Sequence, residues 1–163
     1  VTKQQIAEIQ RLRASGQHTQ ALAMLHDWHR ADPADARVNY ELACTYDPQG
    51  LEDDAIPFYE RALELGLEGD ALRGCLLGLG SSYRCVERYG DAIRTLQKGA
   101  ATFPDAKEFD VFLALTRHNV GEHAEAMRLL LNHIAEFSKD PNTASLKRAI
   151  AFYADHLEPP YNE

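Results

Sequence analysis

Apolar residues recur along this chain at steps of three and four, the spacing of a helix that buries one face. The pattern breaks at short polar segments and resumes, and four of these breaks resemble one another. They read Gly-Gln-His-Thr-Gln-Ala-Leu from Gly16, Gly-Leu-Glu-Asp-Asp-Ala-Ile from Gly50, Arg-Tyr-Gly-Asp-Ala-Ile from Arg88 and Gly-Glu-His-Ala-Glu-Ala-Met from Gly121. The shared alanines, Ala21, Ala55, Ala92 and Ala126, lie 34, 37 and 34 residues apart. Four residues beyond each comes a large side chain: Leu25, Tyr59, Leu96 and Leu130. A second apolar set precedes each turn, clearest as Leu76, Leu79, Gly80 and Tyr83. Each repeat is therefore predicted to be a helix, a tight turn and an antiparallel helix. A pair this short cannot bury its apolar face alone, so neighbouring pairs must stack. The small residues, with Ala43 and Gly80 on the first helices, let helices approach closely.

These residues resemble the tetratricopeptide repeat, whose 34-residue pattern runs an aromatic or Leu, Leu-Gly, Tyr, Ala, an aromatic, Ala and Pro. The third repeat matches best, with Leu76, Leu79-Gly80, Tyr83, Ala92, Leu96 and Pro104, although Gly99 replaces the later alanine. The second supplies Leu42-Ala43, Tyr46, Ala55, Tyr59 and Ala62, with Leu67 in place of the proline. Ala21, Leu25 and Pro33 fit in the first, where Trp28 fills a small-residue position; the fourth offers Leu113-Ala114, Ala126 and Leu130. The segment from Tyr59 to Leu67 is similar to a compact bacterial subgroup of undefined role. The resemblance implies an all-α, right-handed α-solenoid.

One domain over residues 1–157 is expected, with repeats at 2–35, 36–69, 73–106 and 107–140. Asp70-Ala71-Leu72 is the three-residue insertion, lengthening the first helix of the third repeat. After Pro141, Asn142 and Thr143 offer N-caps for a single amphipathic capping helix ending at Leu157. Residues 158–163 read as a tail. Pro57 falls six residues into a helix starting near Leu51, which predicts a kink or a later start.

By the resemblance, first helices line a concave face. The groove positions are Ile6, Gln10 and Arg13 in the first repeat; Arg37, Tyr40 and Cys44 in the second; Leu77, Ser81 and Arg84 in the third; and Val111, Leu115 and His118 in the fourth. Ile6, Tyr40, Leu77 and Val111 form an apolar column. It reads either as inter-repeat core or as a strip for a helix or extended peptide. Burying four such side chains yields roughly 6–12 kcal/mol, while association costs an estimated 4–15 kcal/mol, so specificity must come from polar rim contacts. The Lys and Asn clamp with which many eukaryotic members hold chaperone tails is absent: Ile6, Gln10, Cys44, Gly74 and Gly78 stand at its positions.

Charge narrows the partner class. Seventeen Lys and Arg against 25 Asp and Glu give a net charge of -8, which disfavours nucleic acid and anionic membranes. Three cysteines without Cys-x-x-Cys spacing read as reduced structural thiols in an intracellular, cytoplasmic protein. No leader or membrane span is apparent. His26 and His29, three apart, are too few for structural zinc and read as solvated or groove-facing. Gly78-Leu-Gly80 lacks the third glycine and the strand of a nucleotide fingerprint. Asp47 to Asp54 lacks the alternating ligands of a calcium loop; Glu52, Asp53 and Asp54 instead suit a helix N-terminus. No metal, cofactor or catalytic residue is expected. The expected function is a non-catalytic interaction module that binds a peptide or helix of another protein in its groove. The alternative is a homodimer formed through the groove or the terminal helix, where Ile150, Phe152 and Tyr153 leave an apolar face.

Overall fold

In a computed structural model, residues 1–157 are described, and they form helices without strands. In order these are α1 (Lys3–Ala14), α2 (His18–Ala31), α3 (Ala36–Tyr46), a 3-10 turn at Asp47–Gln49, α4 (Glu52–Glu64), α5 (Gly69–Cys85), α6 (Tyr89–Thr102), α7 (Glu108–Asn119), α8 (His123–Phe137), α9 (Pro141–Ser145) and α10 (Lys147–Ala154). The chain divides into two compact units, Val1–Arg88 and Tyr89–Glu163.

Local chemistry accounts for the boundaries. Thr2 and Gln5 close a reciprocal capping box on α1: the Thr2 hydroxyl accepts from the Gln5 backbone N–H, and the Gln5 side chain accepts from that of Thr2. Asp35 caps α3 by accepting from the N–H groups of Arg37 and Val38. Glu52, Asp53 and Asp54 occupy the first turn of α4, where the helix dipole favours carboxylates. That helix starts at Glu52, so Pro57 lies inside it and not before a later start. Pro57 and Asp53, one turn back, are both exposed, so the carbonyl deprived of its helical donor is within reach of solvent. The insertion at Asp70-Ala71-Leu72 falls within α5, a helix of 17 residues.

Turn glycines Gly16, Gly50 and Gly121 adopt φ of +75°, +72° and +83°. In the third repeat the same position is Glu87, at φ +62°. A left-handed conformation costs a side-chain-bearing residue roughly 1–2 kcal/mol, against about 0.5–1 kcal/mol of additional chain entropy that glycine loses on folding. Glu87→Gly is therefore expected to stabilise the protein by up to about 1 kcal/mol in urea titrations; a lower midpoint would show that the turn holds Glu87 by contacts of its own.

The repeat alanines Ala21, Ala55 and Ala92 are fully buried, Ala126 nearly so, and their large partners Leu25, Tyr59 and Leu96 are buried with them. Leu130 is only half-buried. In the first unit Ile9, Leu12, Ala21, Leu25, Val38 and Leu42 form the core, flanked by Trp28, Tyr46 and Phe58. Helix α5 comes close to α3 and α4 because it carries glycine at the contacts. A Cβ at Gly74 would lie 2.2 Å from the Tyr40 hydroxyl, and one at Gly78 would lie 2.4 Å from that of Tyr59.

Two expectations need correction. The terminal segment is two short helices, and the cap is Asp140, whose carboxylate accepts from Thr143, rather than Asn142 or Thr143 themselves. Pro141 at the first helical position favours that start, since it has no N–H to satisfy. His26 and His29, expected to be solvated or groove-facing, are half-buried and packed on aromatic rings. His26 Nε2 lies 2.7 Å from the Tyr46 hydroxyl, and both imidazoles meet the Phe58 ring edge-on. Burial, with His29 and Arg30 nearby, lowers the His26 pKa.

Candidate functional site

Glu41 ties together α1 and α3, the first helices of the first two repeats. It lies on α3 one turn after Arg37 and is fully buried, yet acidic. Arg37 donates to its carboxylate from Nε at 2.9 Å and Nη2 at 2.7 Å, and Arg13 of α1 approaches from Nη2 at 2.8 Å. The Arg37 guanidinium also lies 5.4 Å from the centre of the Tyr40 ring. Arg13 Nη1 and Glu41 Oε2 are both buried without a hydrogen-bond partner, although Arg13 Nη2 pairs with that carboxylate oxygen by charge. The Arg13 side chain is half-buried and lines one of the concavities described next, so its orphaned guanidinium N–H is an unsatisfied donor at the edge of that space.

Two concavities open beside this triad. One, of about 230 Å³, is lined by Lys3, Ile6, Ala7, Gln10 and Arg37; the other, of about 190 Å³, is lined by Gln10, Arg13, Arg37, Tyr40, Glu41, Asp70 and Ala71. Gln10 and Arg37 belong to both, so they adjoin. Of the twelve positions assigned from the repeat register, Ile6, Gln10, Arg13, Arg37 and Tyr40 thus come together.

Their depths differ. Ile6 is buried at 8% exposure, Tyr40 is half-buried with its hydroxyl over Gly74, and Gln10 is exposed. Cys44 sits behind Tyr40, near the Tyr59 hydroxyl at 3.8 Å, and burial pushes its thiol pKa up. Tyr59 donates to Asp47 at 3.1 Å; burial raises the Asp47 pKa, and the Tyr59 and Ser82 hydroxyls pull it back. Leu77, Ser81 and Arg84 are half-buried on α5 and do not line these concavities. Of the three thiols, Cys75 is buried and donates to the Tyr59 carbonyl, whereas Cys85 is exposed, so the structural reading fails for it.

In the second unit, Val111 is half-buried, while Leu115 and His118 line a separate, mostly apolar cavity of about 460 Å³ between α7 and α8. Its remaining walls are Ala114, His123, Ala126, Met127 and Leu130. His118 and His123 face each other with Nδ1 atoms 3.1 Å apart. Among the described residues no group of three or more His, Cys, Asp or Glu is placed to hold a metal ion, and no helix is long and apolar enough to cross a membrane.

Reading the register alone missed Glu41, Asp70, Ala71 and Met127. The Arg37–Glu41 spacing of four was a visible sign, since such pairs share a helix face; the burial of Glu41 was not.

Comparison with known proteins agrees with this architecture. A family model described as a tetratrico peptide repeat matches residues 36–157. The crystal structure of MamA is similar to this chain with a TM-score of 0.68 at 20% identity, over 93% of this chain and 96% of that one. No protein of curated function matches the sequence.

Proposed function

Since the chain belongs to the tetratricopeptide repeat family and has its all-α solenoid fold, a protein–protein interaction module in general, we propose that it is a non-catalytic cytoplasmic adaptor that captures a peptide or helix of another protein. The proposed groove runs along the first helices. In the first unit its floor is Ile6 and Tyr40, and its polar wall is Gln10, Arg13 and Arg37. The single observation that carries this reading is the buried, unpartnered Arg13 Nη1 beside the adjoining concavities. A backbone carbonyl or carboxylate of an extended segment would satisfy that donor, and the Gln10 amide stands next to it to fix register. The apolar floor is small and partly buried already, so discrimination rests on these polar contacts.

The structure also changes which substitutions test the groove. Tyr40 and Leu77 are half-buried, and a charge at Tyr40 would be driven against Gly74. Gln10 is exposed and Ala71 half-exposed on the rim, so Gln10→Glu with Ala71→Glu places charge at the mouth while sparing the core. A displayed decapeptide library panned against the full chain is expected to yield peptides whose affinity falls at least about tenfold in the double variant, at unchanged helicity by circular dichroism. Peptides that bind the variant equally well, or a library that yields none, overturn the groove assignment.

A further inference from the structure

The repeat register leaves one face uncovered. In the first unit Ala43, Ala55 and Tyr59 are buried, and α5 lies against Tyr59 through Cys75 and Gly78. Their counterparts in the fourth repeat, Ala114, Ala126 and Leu130, line the open α7–α8 cavity; the two alanines are buried, but Leu130 is only half-buried where Tyr59 is fully covered. Helix α10 packs on α8, but none of its residues lines that cavity.

Exposed large apolar side chains gather in the same unit. Leu115 and Met127 at the cavity are 42% and 49% exposed, and Ile134 and Phe137 continue the Met127 stripe along α8 at helical spacing. On α10, Phe152 and Tyr153 are 57% and 63% exposed. The first unit shows only Val1 and Leu51 of this kind.

We propose that this face joins two copies of the chain, with the Phe152–Tyr153 edge of each seated in the α7–α8 cavity of the other. Three observations favour a second copy. First, cavity and aromatic ridge lie on the same unit, the self-complementarity that a two-fold, reciprocal contact requires. An apolar cavity of about 150 Å³ already admits a benzene ring, and this one is about 460 Å³. Second, the area suffices: half a dozen large side chains, about half exposed, contribute on the order of 100 Å² each, most of the roughly 800 Å² that each partner brings to a standard interface. Third, residues 115–154 carry five Lys and Arg against four Asp and Glu, whereas the whole chain is at -8. Two copies meeting here bring near-neutral surfaces together and keep their excess carboxylates apart.

Sedimentation equilibrium of the full chain between about 5 and 200 µM tests this directly, a span suited to micromolar association. The wild type is expected to pass from monomer to dimer across that range. Met127→Glu in the cavity and Tyr153→Glu on the ridge should each weaken association at least about tenfold, while Leu51→Glu in the first unit leaves it unchanged. Hydrogen exchange of the wild type at both ends of the range needs no variant to fold: amides of 127–137 and 147–154 should gain protection with concentration. A monomer at every concentration overturns the proposal. So does a dimer that both variants leave intact, or one whose added protection falls in the groove helices α1 and α3.

Discussion

Gly99→Ala destabilises the protein by about 1–3 kcal/mol, although alanine is the better helix former by roughly 0.8–1.0 kcal/mol at an interior helical position. Gly99 lies inside α6, where the family pattern carries alanine. The sign is decided by Phe109 at the start of α7, the largest fully buried side chain among the described residues. An added Cβ would stand 2.1, 2.5 and 2.6 Å from three carbons of its ring. No carbon pair tolerates such distances, and a ring with no exposed surface has nowhere to swing. Phe109→Leu alone is also expected to destabilise, because it trades the ring for a void. The two together restore what each lacks: a methyl at 99 moves toward the space that a shorter side chain at 109 leaves. In a double-mutant cycle read by urea unfolding, the pair should cost less than the sum by at least about 1 kcal/mol. Additive losses would show that something other than the Phe109 ring excludes a side chain at 99.

The same pair shows what the sequence could and could not tell. The departure from alanine at Gly99 was visible as a mismatch to a pattern; its partner ten residues on was not, because the contact depends on how closely α7 approaches α6. The helices and their order were legible because one small and one large residue recur at fixed offsets, and burial of Ala21, Ala55 and Ala92 follows from that arithmetic. The terminal segment was harder: capping groups at 140, 142 and 143 compete within one turn, and Asp140 prevails with Pro141 behind it. The column of Ile6, Tyr40, Leu77 and Val111 shows the deeper limit. Periodicity puts each of these at the equivalent face of its own first helix but does not give the depth at which the next helix sits. That depth is set at Tyr40 by the missing side chain of Gly74, and the groove assignment depends on it.

The triad of Glu41, Arg13 and Arg37 separates stability from recognition. Glu41→Gln keeps the shape and hydrogen-bonding reach of the side chain and removes its charge, leaving two guanidiniums facing each other over a neutral amide. Removing one member of a buried ion pair costs about 3–5 kcal/mol, because the remaining charge keeps its desolvation penalty without compensation. The Glu41 side chain has no exposure, so salt screens this interaction little and the loss should persist at high ionic strength. Replacing all three, as Glu41→Leu with Arg13→Met and Arg37→Met, removes the penalty along with the attraction, and such exchanges range from neutral to stabilising by about 1–4 kcal/mol. The expected order in urea is therefore Glu41→Gln well below the wild type and the apolar triple variant level with it or above. If the triple variant falls as far as Glu41→Gln, the triad is packing that hydrophobic residues cannot replace. If it holds its stability and loses every peptide that the wild type selects, the ion cluster is kept for the ligand: it holds Arg13 at the edge of the concavity with one N–H unpaired, which no apolar substitute can do.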